Sequence, residues 1–300
     1  MRSKVNRRTA SAMCFPIASD MPTAGLTKSV VKMACRKHYR DLAAKYTVVE
    51  PRPIVKKIAA SNTQLRLLFG IDSVSRADDL LQNNISMFDW AVRNKIPPNF
   101  WGRHLFGETC LTEDEIAFIH SKGCRIAPIC HEDGEKSTEE QGILLGEKAV
   151  NRALALRIPE NTAIFLDVSD SDEVSTAFMK GFAKVLLSEG FVPGFKANTD
   201  AAVSFDREFS RGLRNDGEVF QWCVIWATAP ELQEYHRMTT SHLIHPDDWK
   251  PYAPSGITRN DIAVWEYGRE CHPIHNDAGT EEVFNVNLVK NSQVILKMMF

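Results

Sequence analysis

Long apolar runs are missing from this 300-residue chain: the best are broken by a charge or a glycine within ten positions, far short of the ~18 that a membrane span needs. A transmembrane helix is therefore not expected. Several chemistry-bearing signatures are missing as well. There is no Walker A sequence, and FGIDSVSRADD offers one glycine on the wrong side of the turn for a dinucleotide fingerprint. No GxSxG elbow marks a nucleophilic serine, and His131-Glu132 lacks the helical HExxH spacing of a zinc protease. Seven cysteines, an odd number at irregular spacing, do not form a disulfide framework and are expected to be reduced thiols. Cys124 and Cys130 are expected on one face of a strand as small core residues.

Acidic residues are scarce at one end. Residues 1–62 hold 13 Lys+Arg against 3 Asp+Glu, net +10, while the remainder holds 23 against 35, net −12. This predicts a basic, poorly ordered extension over 1–62 and a folded domain over 63–300. The opening MRSKVNRRTASAMCFPIAS has the acid-free, Arg- and Ser-bearing look of a transit peptide, and a solvated extension fits equally. The apolar stretch from Ala10 to Ala18, broken by Ser11 and Pro16, does not make a secretory signal, so the compartment stays open. No nucleic-acid fold accompanies the basic arm, which disfavours nucleic acid as a partner.

Past the arm, short apolar runs alternate with helical spacing. Strands are predicted at 67–74, 100–106, 124–130, 162–168, 190–197, 219–229, 241–245 and 261–268. TEDE (Thr112–Glu115) and DSDE (Asp170–Glu173) read as capping boxes, with Gly123 and Gly190 as helix exits. A helix over 139–158 presents Gly142, Gly146, Ala149 and Ala153 as a small-residue stripe for close approach to a sheet. Alternating strands and helices, with runs such as AIFLDV apolar on both faces, call for a parallel sheet. Eight strands over about 240 residues predict an α/β (β/α)8 TIM-like barrel.

In such a barrel the chemistry sits where apolar strands finish on polar residues. Asp72, Asp167, Asp170 and Glu266 are the candidate catalytic acids, because carboxylates converging on one mouth can divide acid and base roles on a glycosidic bond. Asp170 competes with a helix-cap role, and Glu266, between Trp265 and Tyr267, with an outward orientation. Arg103, His131, Lys196, Trp226 and Tyr267 are candidate substrate-binding residues, the aromatics as platforms for sugar rings and the cations as partners of the acids. CHPIH (271–275) has no matching second ligand pair, so no metal and no cofactor are called for.

From about Leu67 onward the chain resembles a glycoside-hydrolase-like (β/α) barrel family of unknown function, related to the family 25 lysozymes. The matching pieces are FGIDSVS, WGRHLF, LTEDEIAFIHSKGCRIAPI, GEKAVNRALALRIP before IFLDVSD, IWATA, and VWEYG followed by FNVNLVKN. The resemblance implies a sugar-binding mouth around the aspartate of FGID and the acids of strand four, with the acid two positions after Asp167 as proton donor. This sequence departs there: Ser169 stands at that position, Asn285 replaces a late acid, and Lys196 stands where relatives carry tyrosine. A serine hydroxyl is no general acid near neutral pH. The expected function is hydrolysis of glycosidic bonds in a cell-wall-type polysaccharide. The alternative is a catalytically inactive carbohydrate-binding or interaction module on the same barrel.

Overall fold

A computed structural model describes residues 67–81, 84–170, 173–235, 249–272, 283–290 and 292–300. Eight strands close into a barrel in sequence order, β1 (Leu68–Ser73), β2 (Phe100–His104), β3 (Arg125–Cys130), β4 (Ala163–Asp167), β5 (Val192–Ala197), β6 (Val224–Ala227), β7 (Ile262–Cys271) and β8 (Phe284–Val289). Strands β1 to β7 pair in parallel, whereas β8 is antiparallel to both β7 and β1. The architecture is thus an α/β closed barrel but not an all-parallel eightfold one. The predicted strand at 261–268 is the seventh, and FNVNLV, not assigned as a strand from the sequence, is the eighth. The predicted strand at 241–245 lies outside the described residues.

Helices α1 (Met87–Arg93), α2 (Glu113–Ser121), α3 (Glu139–Ala155), α4 (Thr176–Ser188) and α5 (Ser204–Asn215) follow β1 to β5 in turn. A short α6 (Gly217–Phe220) takes the first part of the predicted 219–229 strand, and α7 (Ser292–Met298) follows β8. Between β6 and β7 the described residues carry only 3-10 turns, at Gln233–Tyr235 and Arg259–Asp261.

The helix ends follow local chemistry, with two differences from the sequence reading. Thr112 caps α2 through the Glu115 amide, but the Glu115 carboxylate turns away from the cap to meet Arg103. Helix α4 starts at Ser175, which accepts from the Phe178 amide, so Asp170 is no cap. The reciprocal box belongs to Thr138 and Gln141 at the start of α3. The glycines of the small-residue stripe of α3 meet another helix: a Cβ on Gly142 would lie 2.0 Å from the Phe178 carbonyl oxygen of α4, and one on Gly181 of α4 2.1 Å from that of Glu139.

Strand alternation sorts the core into two regions. Ile71, Trp101, Ile126, Ile164, Phe195, Ile225, Trp265 and Tyr267 belong to the cluster packed against the helices. Phe100, Ile129, Phe165, Trp226, Val264 and Val289 form a second cluster that fills the barrel. Phe100, Phe165 and Trp226, from even strands, meet edge to face at centroid distances of 5.9 and 5.2 Å. A layer drawn from alternate strands is how such barrels fill their interior.

Candidate functional site

Above the aromatic layer the odd strands supply charge. Asp72 of β1, Lys196 of β5 and Glu266 of β7 are 2, 3 and 1 % exposed, and the Lys196 Nζ stands 5.2 Å from the centre of the Trp226 ring. That ammonium reaches Asp72 Oδ2 at 2.7 Å, Glu266 Oε2 at 2.8 Å and Asp167 Oδ2 at 3.6 Å. Three carboxylates therefore share one cation. Gly102 of β2 makes room for this packing: a Cβ there would stand 2.5 Å from Asp72 Cβ and 2.9 Å from the Trp226 ring.

Each acid has further donors. Asn287 Nδ2 donates to Asp72 Oδ1 at 2.6 Å and Asn285 Nδ2 to Oδ2 at 3.0 Å, and the Trp226 indole N–H holds Asn287 by its oxygen at 2.8 Å. Ser169 donates to Asp167 Oδ1 with both its hydroxyl, at 2.6 Å, and its amide, at 2.9 Å. Arg269 Nε donates to Glu266 Oε1 at 2.6 Å, and its Nη1 to Asp170 Oδ1 at 3.1 Å.

These surroundings separate the acids. Burial alone pushes the Asp167 carboxyl up, but Lys196 and the two Ser169 donors overturn that and hold it below the usual range. For Glu266 burial prevails, helped by the charge of Asp72, and the carboxyl is raised despite Lys196 and Arg269. Lys196 is costly to bury, yet the three acids around it raise its pKa and keep it charged. His104, at the end of β2, is lowered to about 4 by burial and by Lys196, so it is neutral at physiological pH.

The nine residues singled out from the sequence fall into distinct places. Asp72, Asp167, Lys196 and Glu266 come together around one ammonium. Trp226 is fully buried beneath Lys196, as floor rather than exposed platform. Asp170 stands at the rim, its side chain 80 % exposed, on Arg269. His131 is exposed at the rim and faces Asp133 of its own loop at 3.2 Å. Two residues lie elsewhere. Arg103 alternates to the outer face of β2, where it pairs with Glu115 at 2.6 Å and donates to the carbonyls of Ser73 and Val74; its job is to tie α2 to the loop after β1. Tyr267 packs outward against Tyr235, 4.9 Å between centroids, because Glu266 takes the inward place on β7.

Sequence reasoning missed Arg269 and Asn287. On a regular strand, positions three apart face opposite ways. Register shifts around Gly268 turn Arg269 back to Glu266, and a lone glycine inside a strand is the available cue for such a bulge. Asn287 was hidden because its segment was not recognised as a strand.

Among the described residues no group of three or more His, Cys, Asp or Glu is arranged to hold a metal ion, and no helix is long and apolar enough to cross a membrane.

Comparison with known structures finds an uncharacterized B. stearothermophilus protein at 25% identity and a TM-score of 0.65, covering 78% of this chain and 100% of that one. The modular autolysin LytC from Streptococcus pneumoniae, solved in complex with a synthetic peptidoglycan ligand, aligns at 9% identity and TM-score 0.45 over 74% of this chain and 46% of its own. A muramidase from Acremonium alcalophilum aligns at 12% identity and TM-score 0.38, over 74% and 93%. None of the curated proteins matches. The model of the Rv2525c-like, glycoside hydrolase-like domain matches residues 98–277, more than half of the chain, and the chain belongs to that family.

Proposed function

We propose that the carboxyl-terminal mouth of this glycoside-hydrolase-like barrel binds a polysaccharide of the cell-wall type, and that binding rather than efficient turnover is its function. The observation that carries this reading is the Lys196 ammonium among Asp72, Asp167 and Glu266. A glycosidic bond is cleaved when one carboxylic acid gives its proton to the leaving oxygen. Glu266 has the raised carboxyl for that role, but it is 1 % exposed and both of its oxygens face cations. Asp167, the most open of the three, is held ionised, and Ser169 stands in the place of a proton donor. Asp167 and the neutral His104 then serve as hydrogen-bonding groups toward sugar hydroxyls.

Hydrolysis is the second reading, favoured by spacing. Because one Nζ reaches Asp72 at 2.7 Å and Asp167 at 3.6 Å, their nearer oxygens are no farther apart than those two distances together. Carboxylates brought this near one another can act together on one glycosidic bond, with Asp167 as nucleophile or stabiliser. Calorimetric titration with chitooligosaccharides and muropeptides, run beside a reducing-sugar assay, separates the two. Binding heat that Asp167→Asn weakens, without sugar release, is the expected result. Release by the parent and not by Asp167→Asn establishes the second reading, and neither heat nor release ends both.

A further inference from the structure

The contact between Arg269 and Asp170 has no part in the binding chemistry just described. Asp170 lies three residues beyond Asp167, past the end of β4, and Arg269 three residues beyond Glu266 on β7. Strands β5 and β6 separate these two, so the 3.1 Å link from Arg269 Nη1 to Asp170 Oδ1 joins strands that are not neighbours in the barrel. It completes a ring of charged contacts: Asp167 to Lys196, Lys196 to Glu266, Glu266 to Arg269, Arg269 to Asp170, and back along the chain to Asp167.

The two ends of the link differ in strength. Glu266 is buried and takes the guanidinium Nε at 2.6 Å, whereas Asp170 is 80 % exposed and meets it in water. A buried charge deprived of its partner is strongly destabilising, while an exposed pair contributes little. The Asp170 side therefore opens first and Arg269 stays anchored on Glu266. Among the described residues Glu231 also faces the guanidinium, its Oε2 3.9 Å from Nε.

The geometry points to a latch: the Arg269–Asp170 pair closes the β4–β7 side of the mouth, and a glycan enters by displacing Asp170, after which the freed Nη groups donate to sugar hydroxyls. This rests on the reading of the mouth as a carbohydrate site, but the latch itself is testable without a ligand.

In protein labelled with 15N-arginine, the Arg269 Nη signals are expected to show restricted rotation in the parent and free rotation in Asp170→Ala, with the Nε–H signal kept in both. In titrations with chitooligosaccharide, Asp170→Ala is expected to bind about 1.5- to fivefold tighter, the span that releasing an exposed pair allows. Parent affinity is expected to rise with added salt, because screening weakens the pair. Identical Nη signals in parent and variant overturn the latch, and so does equal affinity at all salt concentrations. If neither protein binds the sugar while the Nη signals differ as expected, the latch stands and the carbohydrate reading falls.

Discussion

Replacing Lys196 by methionine removes the shared cation while keeping most of the side-chain volume, so the loss measures charge rather than packing. The ammonium is 3 % exposed and serves three carboxylates. Removing one partner of a buried ion pair costs about 3–5 kcal/mol. Three acids lose the same partner here, which favours the upper part of that range, while Asn285, Asn287, Ser169 and Arg269 still supply donors and limit the damage. With a urea slope of about 2–3 kcal/mol/M, the unfolding midpoint at neutral pH falls by roughly 1–2 M.

The dependence on pH gives a sharper test. In the parent, the depressed carboxyl of Asp167 contributes stability that is present above its unfolded pKa and lost as pH falls through the folded value. The raised carboxyl of Glu266 works the other way, contributing at low pH and losing that contribution as pH rises through its folded value. Without Lys196 the carboxyls of Asp167 and Glu266 lose the charge that lowers them, so the deficit of the variant is greatest near neutrality and shrinks toward about pH 5. Adding Asp72→Asn removes one of the stranded charges and is expected to recover part of the loss. A deficit below about 1 kcal/mol at neutral pH, or one of equal size at both pH values, refutes the assignment of Lys196 as the neutralising centre.

Two further outcomes are expected. The imidazole of His104 stays neutral until about pH 4, so its NMR titration midpoint lies there, and its contribution to stability erodes as pH falls from the usual histidine value toward that midpoint; a midpoint near the usual value removes it from the buried cluster. Arg103→Lys loses the forked contact with Glu115 and destabilises by about 2–4 kcal/mol in urea unfolding, since an ammonium cannot reproduce the fork, but leaves chitooligosaccharide affinity unchanged. A shift in that affinity puts Arg103 back in the mouth.

Residues 67 to 197 were largely legible because their signals are local. Each apolar run is followed by a turn and an amphipathic helix, so β1 to β5 emerge from period and punctuation alone. Legibility fails after β6, where the described connection carries only 3-10 turns and β8 returns antiparallel to β7. The inward orientation of Glu266 was open for a similar reason. Its neighbours Trp265 and Tyr267 are apolar enough to claim either face, and only the packing of Tyr267 on Tyr235 and of Trp265 on Trp249 settles it.

By itself the sequence determined that this chain forms an α/β barrel with acids at its strand ends, because both follow from residue periodicity and from which residue finishes each apolar run. The tertiary structure alone decided what those acids face. Ring closure brings β1, β4, β5 and β7 to a common ammonium, and a bulge at Gly268 adds a guanidinium from a position that strand alternation would send outward. Coulomb energy depends on separations through space, and residues 124 positions apart, such as Asp72 and Lys196, have none until the barrel closes.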